Sequence, residues 1–153
     1  MMIIDLLQLL SACALGLLVG SLLTEAMILV PYWRTMQAEE FLRLHSTLGP
    51  RLFIYFAPLT ILGTALPVLA AVVPLMLGAP WDWLLAVPAQ MVLIMLAIYF
   101  AYFAGANESF KSGSMGVAGL AAELARWANW HWLRVALGMT AFVTSLWVLL
   151  CHG

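Results

Sequence analysis

Glu25 is a carboxylate inside an apolar run, GLLVGSLLTEAMILVPYW, from Gly16 to Trp33. A charged side chain at such a depth in a membrane helix costs about 2.5–3.5 kcal/mol on insertion scales, so it demands a proton, a partner or a metal. The other groups able to do chemistry are His45, Asn107, Glu108, His131 and Arg134, all close to the ends of apolar runs. Glu25, His45, Glu108 and His131 form a set of two carboxylates and two imidazoles. Such a set suits iron, copper, manganese or zinc, and with an open position it suits iron and oxygen chemistry. Asn107 and Arg134 are then the candidates for catalytic work at the substrate, orienting it beside the metal. No HExxH or ExxH motif is present, so the metal expectation rests on convergence of separate segments. The same residues also permit a structural network, with Glu25 paired to Arg134 or Arg51 and Glu108 to Lys111 at helical spacing i,i+3.

These groups need a scaffold, and composition limits what it can be. Of the 153 residues, 65% are hydrophobic and 8% charged. A soluble globular domain carries about 25% charged residues. The net charge of −1 supplies no basic surface for nucleic acid. Cys13 and Cys151 have no metal or redox spacing, and nothing resembles a phosphate loop or a serine triad. Four apolar runs, at about 3–30, 52–77, 84–104 and 132–150, are near the roughly 20 residues a membrane span requires. The expected fold is all-α: a single integral membrane domain over 1–153, built as a four-helix bundle with short interfacial helices. The opening MMIIDLLQLL reads as a retained helix, because Asp5 has the wrong sign for a secretory leader.

The connections refine this. Residues 78–83, GAPWDW, form a short turn with an interfacial pair, Trp81 and Trp83. In the longer 31–51 connection, Thr35 is expected to cap a short helix, TMQAEEFLRLHSTL, ending at Gly49-Pro50. The 105–129 connection has a flexible break at SGSMG, then a helix from Ala118 leading into the fourth span. All six basic residues lie in or beside these two long connections, which fall on one side of the membrane. The positive-inside rule makes that side cytoplasmic and places both termini outside, in a bacterial inner (plasma) membrane. Trp127, Trp130, Trp132, Tyr32 and Trp33 fit an aromatic belt at the same interface.

The topology therefore brings Glu25, His45, Asn107, Glu108 and His131 toward one end of the bundle, with His152 at the other. Ala12, Gly16, Gly20 and Thr24 recur every fourth position, a pattern that admits close approach of another helix or a second copy of the chain in a homo-oligomer. Phe53, Tyr55, Phe56, Tyr99, Phe100, Tyr102 and Phe103 gather near the polar end. They suit a pocket for a flat, hydrophobic substrate entering from membrane lipid.

The segments EAMILVPYW, FLRLHSTLGPRLFIYFAPLT, ANESF and WANWHWLR carry a resemblance. With Pro31, His45, Pro58, Asn107, His131 and Arg134 in place, the chain from about residue 16 to 150 resembles the anthrone oxygenase-like family of small four-helix membrane proteins. The resemblance implies oxidation of a reduced aromatic ring by molecular oxygen. The leading expectation is a membrane oxygenase or oxidoreductase acting on a small hydrophobic aromatic. The alternative is a small transporter subunit or membrane assembly partner, in which Glu25 is a proton relay or a helix contact.

Overall fold

Glycine and aspartate punctuate the short connection at one end of the molecule. In the computed structural model, which describes residues 2–79 and 82–152, α3 (Ala38–Met76) stops where Gly78 takes φ +76°. The Gly78 N–H then donates to Leu75 O and the Ala79 N–H to Pro74 O, capping the last carbonyls of the helix. Asp82 starts α4 (Trp83–Ile98), its carboxylate accepting the Leu84 N–H at 2.9 Å. The expected interfacial pair is half visible: Trp83 begins α4 and is exposed, and Trp81 lies outside the described residues.

The remaining elements are α1 (Met2–Thr24), α2 (Val30–Trp33), α5 (Ala104–Ser112) and α6 (Leu120–His152). A π-helical turn joins α1 to α2 at Glu25–Leu29, and another joins α4 to α5 at Tyr99–Phe103. Each junction is continuous, so the chain forms four long helices: Met2–Trp33, Ala38–Met76, Trp83–Ser112 and Leu120–Cys151. All four are long and apolar enough to cross a membrane, and no strand occurs among the described residues. The all-α membrane bundle follows from length and composition, as expected.

Two local expectations are corrected. Thr35 caps no helix; its hydroxyl donates to Tyr32 O, and Gln37 in extended conformation precedes α3. Gly49-Pro50 ends nothing either. The helix that begins at Ala38 runs unbroken through Pro50, Pro58, Pro67 and Pro74. Neighbouring helices in a bundle can compensate for the backbone bonds that proline removes. The third helix likewise extends to Ser112, which places Asn107 and Glu108 on a helix rather than in a connection. Gly113, at φ +68°, ends it.

Close packing uses only part of the small-residue stripe. A Cβ on Gly16 would lie 3.1 Å from the Phe142 ring of α6, whereas one on Gly20 would meet nothing within 4 Å. The bundle core near the termini is dry: Leu15, Val92 and Ala141 form one cluster, and Leu18, Leu22, Ala26, Met95 and Val135 the next. The aromatic end of the core holds Trp33, Phe41, Phe103, Phe110 and Trp127.

Candidate functional site

Glu25 stands at the first residue of the π turn, where the Val30 N–H donates to Glu25 O across five residues. Pro31 follows immediately and has no N–H to continue regular bonding. Single π turns inside α-helices frequently occur at functional sites. The turn on the third helix, Tyr99–Phe103, flanks the same cavity from the opposite wall.

That cavity has a volume of about 690 Å³, within the range for drug-sized ligands. Its walls come chiefly from α3 and from the third helix, with Phe53, Phe56, Leu96, Tyr99 and Phe100 among the apolar lining. Phe53, Ile54, Ile61 and Phe100 also lie on the exposed surface of the bundle. The cavity therefore reaches the lateral surface that a membrane would cover, and through the exposed Pro50, Glu108 and Lys111 it also reaches the polar end of the bundle. Glu25, His45, Thr60, Asn107, Glu108, Lys111, Trp127 and Arg134 add the polar lining.

Glu25 and Arg134 line the cavity, and His131, buried behind them, does not itself line it. His131 is fully buried, and its Nε2 lies 3.0 Å from Leu22 O and 3.7 Å from Glu25 Oε2. A carbonyl can only accept, so Nε2 carries a proton and donates it to Leu22 O. The Glu25 distance is too long for a hydrogen bond and is a through-space contact. Trp127 covers the imidazole face, with ring centroids 4.9 Å apart and planes 17° from parallel. Arg134 is 8% exposed, with its guanidinium carbon 4.6 Å above the Phe103 ring. Its Nε has no hydrogen-bond partner, and no carboxylate pairs with it within 4.0 Å among the described residues. A cation over an aromatic face gains about 2 kcal/mol when desolvated, which offsets only part of the cost of burying it. Glu25 and Arg134, both lining the cavity, act on each other electrostatically.

The other candidates lie elsewhere on the wall. His45 sits in an aromatic cage, stacked on Phe41 at 4.9 Å with edge contacts to Trp33 and Phe110. Asn107 accepts the Trp127 indole N–H at 2.9 Å through Oδ1. Glu108 forms an exposed ion pair with Lys111 at 3.1 Å, the structural alternative for that residue. Glu25 and His131 are thus together, while His45 and Glu108 are held by different neighbours.

The four expected metal ligands do not assemble. No three His, Cys, Asp or Glu side chains among the described residues are grouped to hold an ion. The His131 nitrogen nearest Glu25 uses its proton on Leu22 O, and a metal needs the lone pair of an unprotonated nitrogen. Glu25 and His131 are the one pair from the expected set that the fold brings within 4 Å.

Sequence reasoning misses the aromatic frame of the site, namely Trp33, Phe41, Phe110 and Trp127 around the two imidazoles. Trp127, expected in an interfacial belt, is 4% exposed. Its spacing of four from His131 on one helix is the available signal. Of the expected pocket aromatics, Phe53, Phe56, Tyr99 and Phe100 line the cavity. Tyr55 instead shares a hydrogen bond with Ser21, and Tyr102 donates to Glu123. The chain matches no family model, no curated protein and no solved structure.

Proposed function

We propose that the chain is a membrane-embedded oxidoreductase of the oxygenase type, taking a small hydrophobic aromatic molecule from lipid and oxidising it with molecular oxygen. One observation carries the reading: an acid, Glu25, and a cation without an ion pair, Arg134, both buried, border one cavity whose aromatic walls reach the lateral surface of the bundle. A cavity made only for packing has no use for either group. Aromatic walls and a lateral mouth suit a flat substrate that partitions into lipid, as oxygen also does.

The residues divide the work as follows. Glu25 takes a proton from an activated ring methylene beside a carbonyl; the C–H bond breaks and its electron pair delocalises onto the carbonyl oxygen as an enolate. Arg134 faces that developing charge with a fixed guanidinium in a water-poor site, where such stabilisation is strongest. The enolate gives its electrons to oxygen. The net change turns one ring methylene and one molecule of oxygen into one ring carbonyl and one molecule of water. One oxygen atom enters the new carbonyl, and the other leaves in the water with both methylene hydrogens. His131 keeps a neutral N–H near the carboxylate, and its own orientation is fixed by Leu22 O and Trp127.

The transporter alternative requires a polar route through the bundle. Between Glu25 and the buried Ser11 and Gln8 near the other end, α1 presents Leu15, Leu18 and Leu22, packed on Val92, Met95, Val135 and Ala141. That layer favours a one-sided site. In this reading the two basic connections face the cytoplasm of a bacterial plasma membrane, and both termini face out.

The test is turnover of anthrone to anthraquinone by protein in lipid nanodiscs under 18O-labelled oxygen. One labelled atom should enter the product. Glu25→Gln should lower kcat by about 10²–10⁴-fold, the usual scale for loss of a general base. Oxidation no faster than in empty nanodiscs would overturn the proposal.

A further inference from the structure

Away from Glu25 and Arg134, the cavity wall carries two hydrogen-bond donors whose orientations are fixed. Asn107 Oδ1 is occupied by the Trp127 indole N–H at 2.9 Å. This bond decides which way the amide faces, because an N–H needs the oxygen. The Asn107 NH2 group is left for the cavity that Asn107 borders, and no hydrogen bond among the described residues uses it. His45 gives the second donor. It is 5% exposed, clamped between Phe41, Trp33 and Phe110, and its Nδ1 is buried without a partner. Its Nε2 lies on the side of Gly49, where a Cβ would come within 4.0 Å of it, and Gly49 also lines the cavity. A proton on Nδ1 would be an orphaned buried donor; on Nε2 it faces a space where a ligand can accept it.

We propose that His45 and Asn107 form a second subsite in the cavity, an acceptor-binding one that takes a carbonyl or ether oxygen of the bound molecule, distinct from the Glu25–Arg134 end. The proposal rests on the reading of the cavity as an aromatic-ligand site and specifies it: the ligand carries an oxygen acceptor that these donors recognise. Four features support it together. Both residues border one cavity. Both are tied to the same aromatic frame, His45 through Trp33 and Phe110, Asn107 through Trp127, which contacts Trp33 at 6.1 Å. Each has one polar atom sealed or occupied on the protein side, so its remaining atom is committed to the cavity. Glu108, next to Asn107 in the chain, is paired with Lys111 at 3.1 Å and makes no hydrogen bond to either donor. The absence of a side chain at Gly49 leaves the approach to His45 Nε2 open.

Fluorene and 9-fluorenone test this in the whole protein in nanodiscs, with 13C-labelled carbonyl in the ketone. They share a flat apolar frame and differ in one acceptor oxygen. Fluorenone should bind about tenfold tighter than fluorene, and its carbonyl stretch should move to lower frequency on binding. His45→Phe keeps the stacked ring and removes the donor; Asn107→Leu removes the other. Each should reduce the preference several-fold and return the band toward its position in empty nanodiscs, while Arg134→Met leaves the shifted band in place. Thermal unfolding in detergent shows that each variant is folded, and fluorene binding shows that each retains the cavity. Equal binding of the two probes with an unshifted carbonyl, or a shifted band that disappears in Arg134→Met and persists in both other variants, overturns the subsite and leaves the proposed aromatic-ligand cavity standing. Binding of neither probe above lipid partitioning overturns both. A shifted band that depends on His45 and Asn107 in a protein without oxygenase turnover upholds the subsite and removes only the oxidoreductase reading.

Discussion

Trp127 holds two functional side chains at once: its ring lies over the His131 imidazole, and its indole N–H is bonded to Asn107 Oδ1. His131 is four residues further along the same helix, so helical geometry stacks the rings, while the N–H reaches across to the third helix. One residue thereby couples the Glu25 end of the cavity to the Asn107 wall.

Trp127→Phe separates these roles. A phenyl ring retains stacking on His131 and loses the donor to Asn107. The expected cost is about 0.5–1.5 kcal/mol of stability, the net worth of one hydrogen bond. Thermal unfolding in detergent measures it. A Trp127→Phe protein with wild-type stability and an undisturbed Asn107 side chain would show that the bond is incidental.

Arg134→Met keeps much of the side-chain length and removes the charge. If Arg134 is a structural partner of Glu25, breaking the pair should cost about 3–5 kcal/mol. If Arg134 serves a ligand, as proposed, the substitution should change stability by less than about 1 kcal/mol and reduce turnover at least tenfold. Denaturation and kinetics on the same preparation distinguish the two, and a large loss of stability would return Arg134 to a structural role.

Elemental analysis addresses the donor set. Because His131 spends its Nε2 proton on Leu22 and Glu108 is paired on the surface, purified protein should contain iron, copper, manganese and zinc well below one ion per chain. Near-stoichiometric metal that falls sharply in both Glu25→Gln and His131→Ala would show that the side chains regroup around an ion.

Gly16→Leu should destabilise the bundle by about 1–3 kcal/mol, because the Phe142 ring already lies at contact distance. Gly20→Leu should have little effect, since its Cβ would enter open space. Equal destabilisation in detergent would mean that the Gly20 face is covered by something the single chain does not contain.

With the proposed orientation, a C-terminal fusion to a reporter that works only after export should be active, and one to a reporter that works only in the cytoplasm should be silent. The reverse pattern would place the basic connections outside.

The fold is legible in the sequence because apolar length is additive: four runs near 20 residues leave few arrangements for a chain with so little charge. Helix boundaries are less legible. Gly49-Pro50 reads as a stop in water, yet α3 passes through it. Glu25 is recognisable from its surroundings alone, since a carboxylate among leucines must be explained. Arg134 is recognisable as an orienting group, but its position over Phe103 depends on how the third and fourth helices meet. His45 and Glu108 show where topology stops being informative. Span counting puts both at the correct end of the bundle and cannot tell an aromatic cage from an exposed ion pair. The π turn at Glu25 is followed two residues on by Pro31, and the one at Tyr99–Phe103 by Gly105 at the same offset, a weaker marker because glycine keeps its N–H.

The leucine layer beneath Glu25 has an energetic consequence for a cell. Leu15, Leu18 and Leu22 close α1's side of the core below the carboxylate, so in the proposed reaction a proton taken by Glu25 returns on the cavity's side of that layer. No charge then traverses the full dielectric during a reaction cycle. A translocated charge would be worth about 2.3 kcal/mol per 100 mV, whereas the proposed chemistry would proceed with the same driving force in an energised membrane and in a depolarised one.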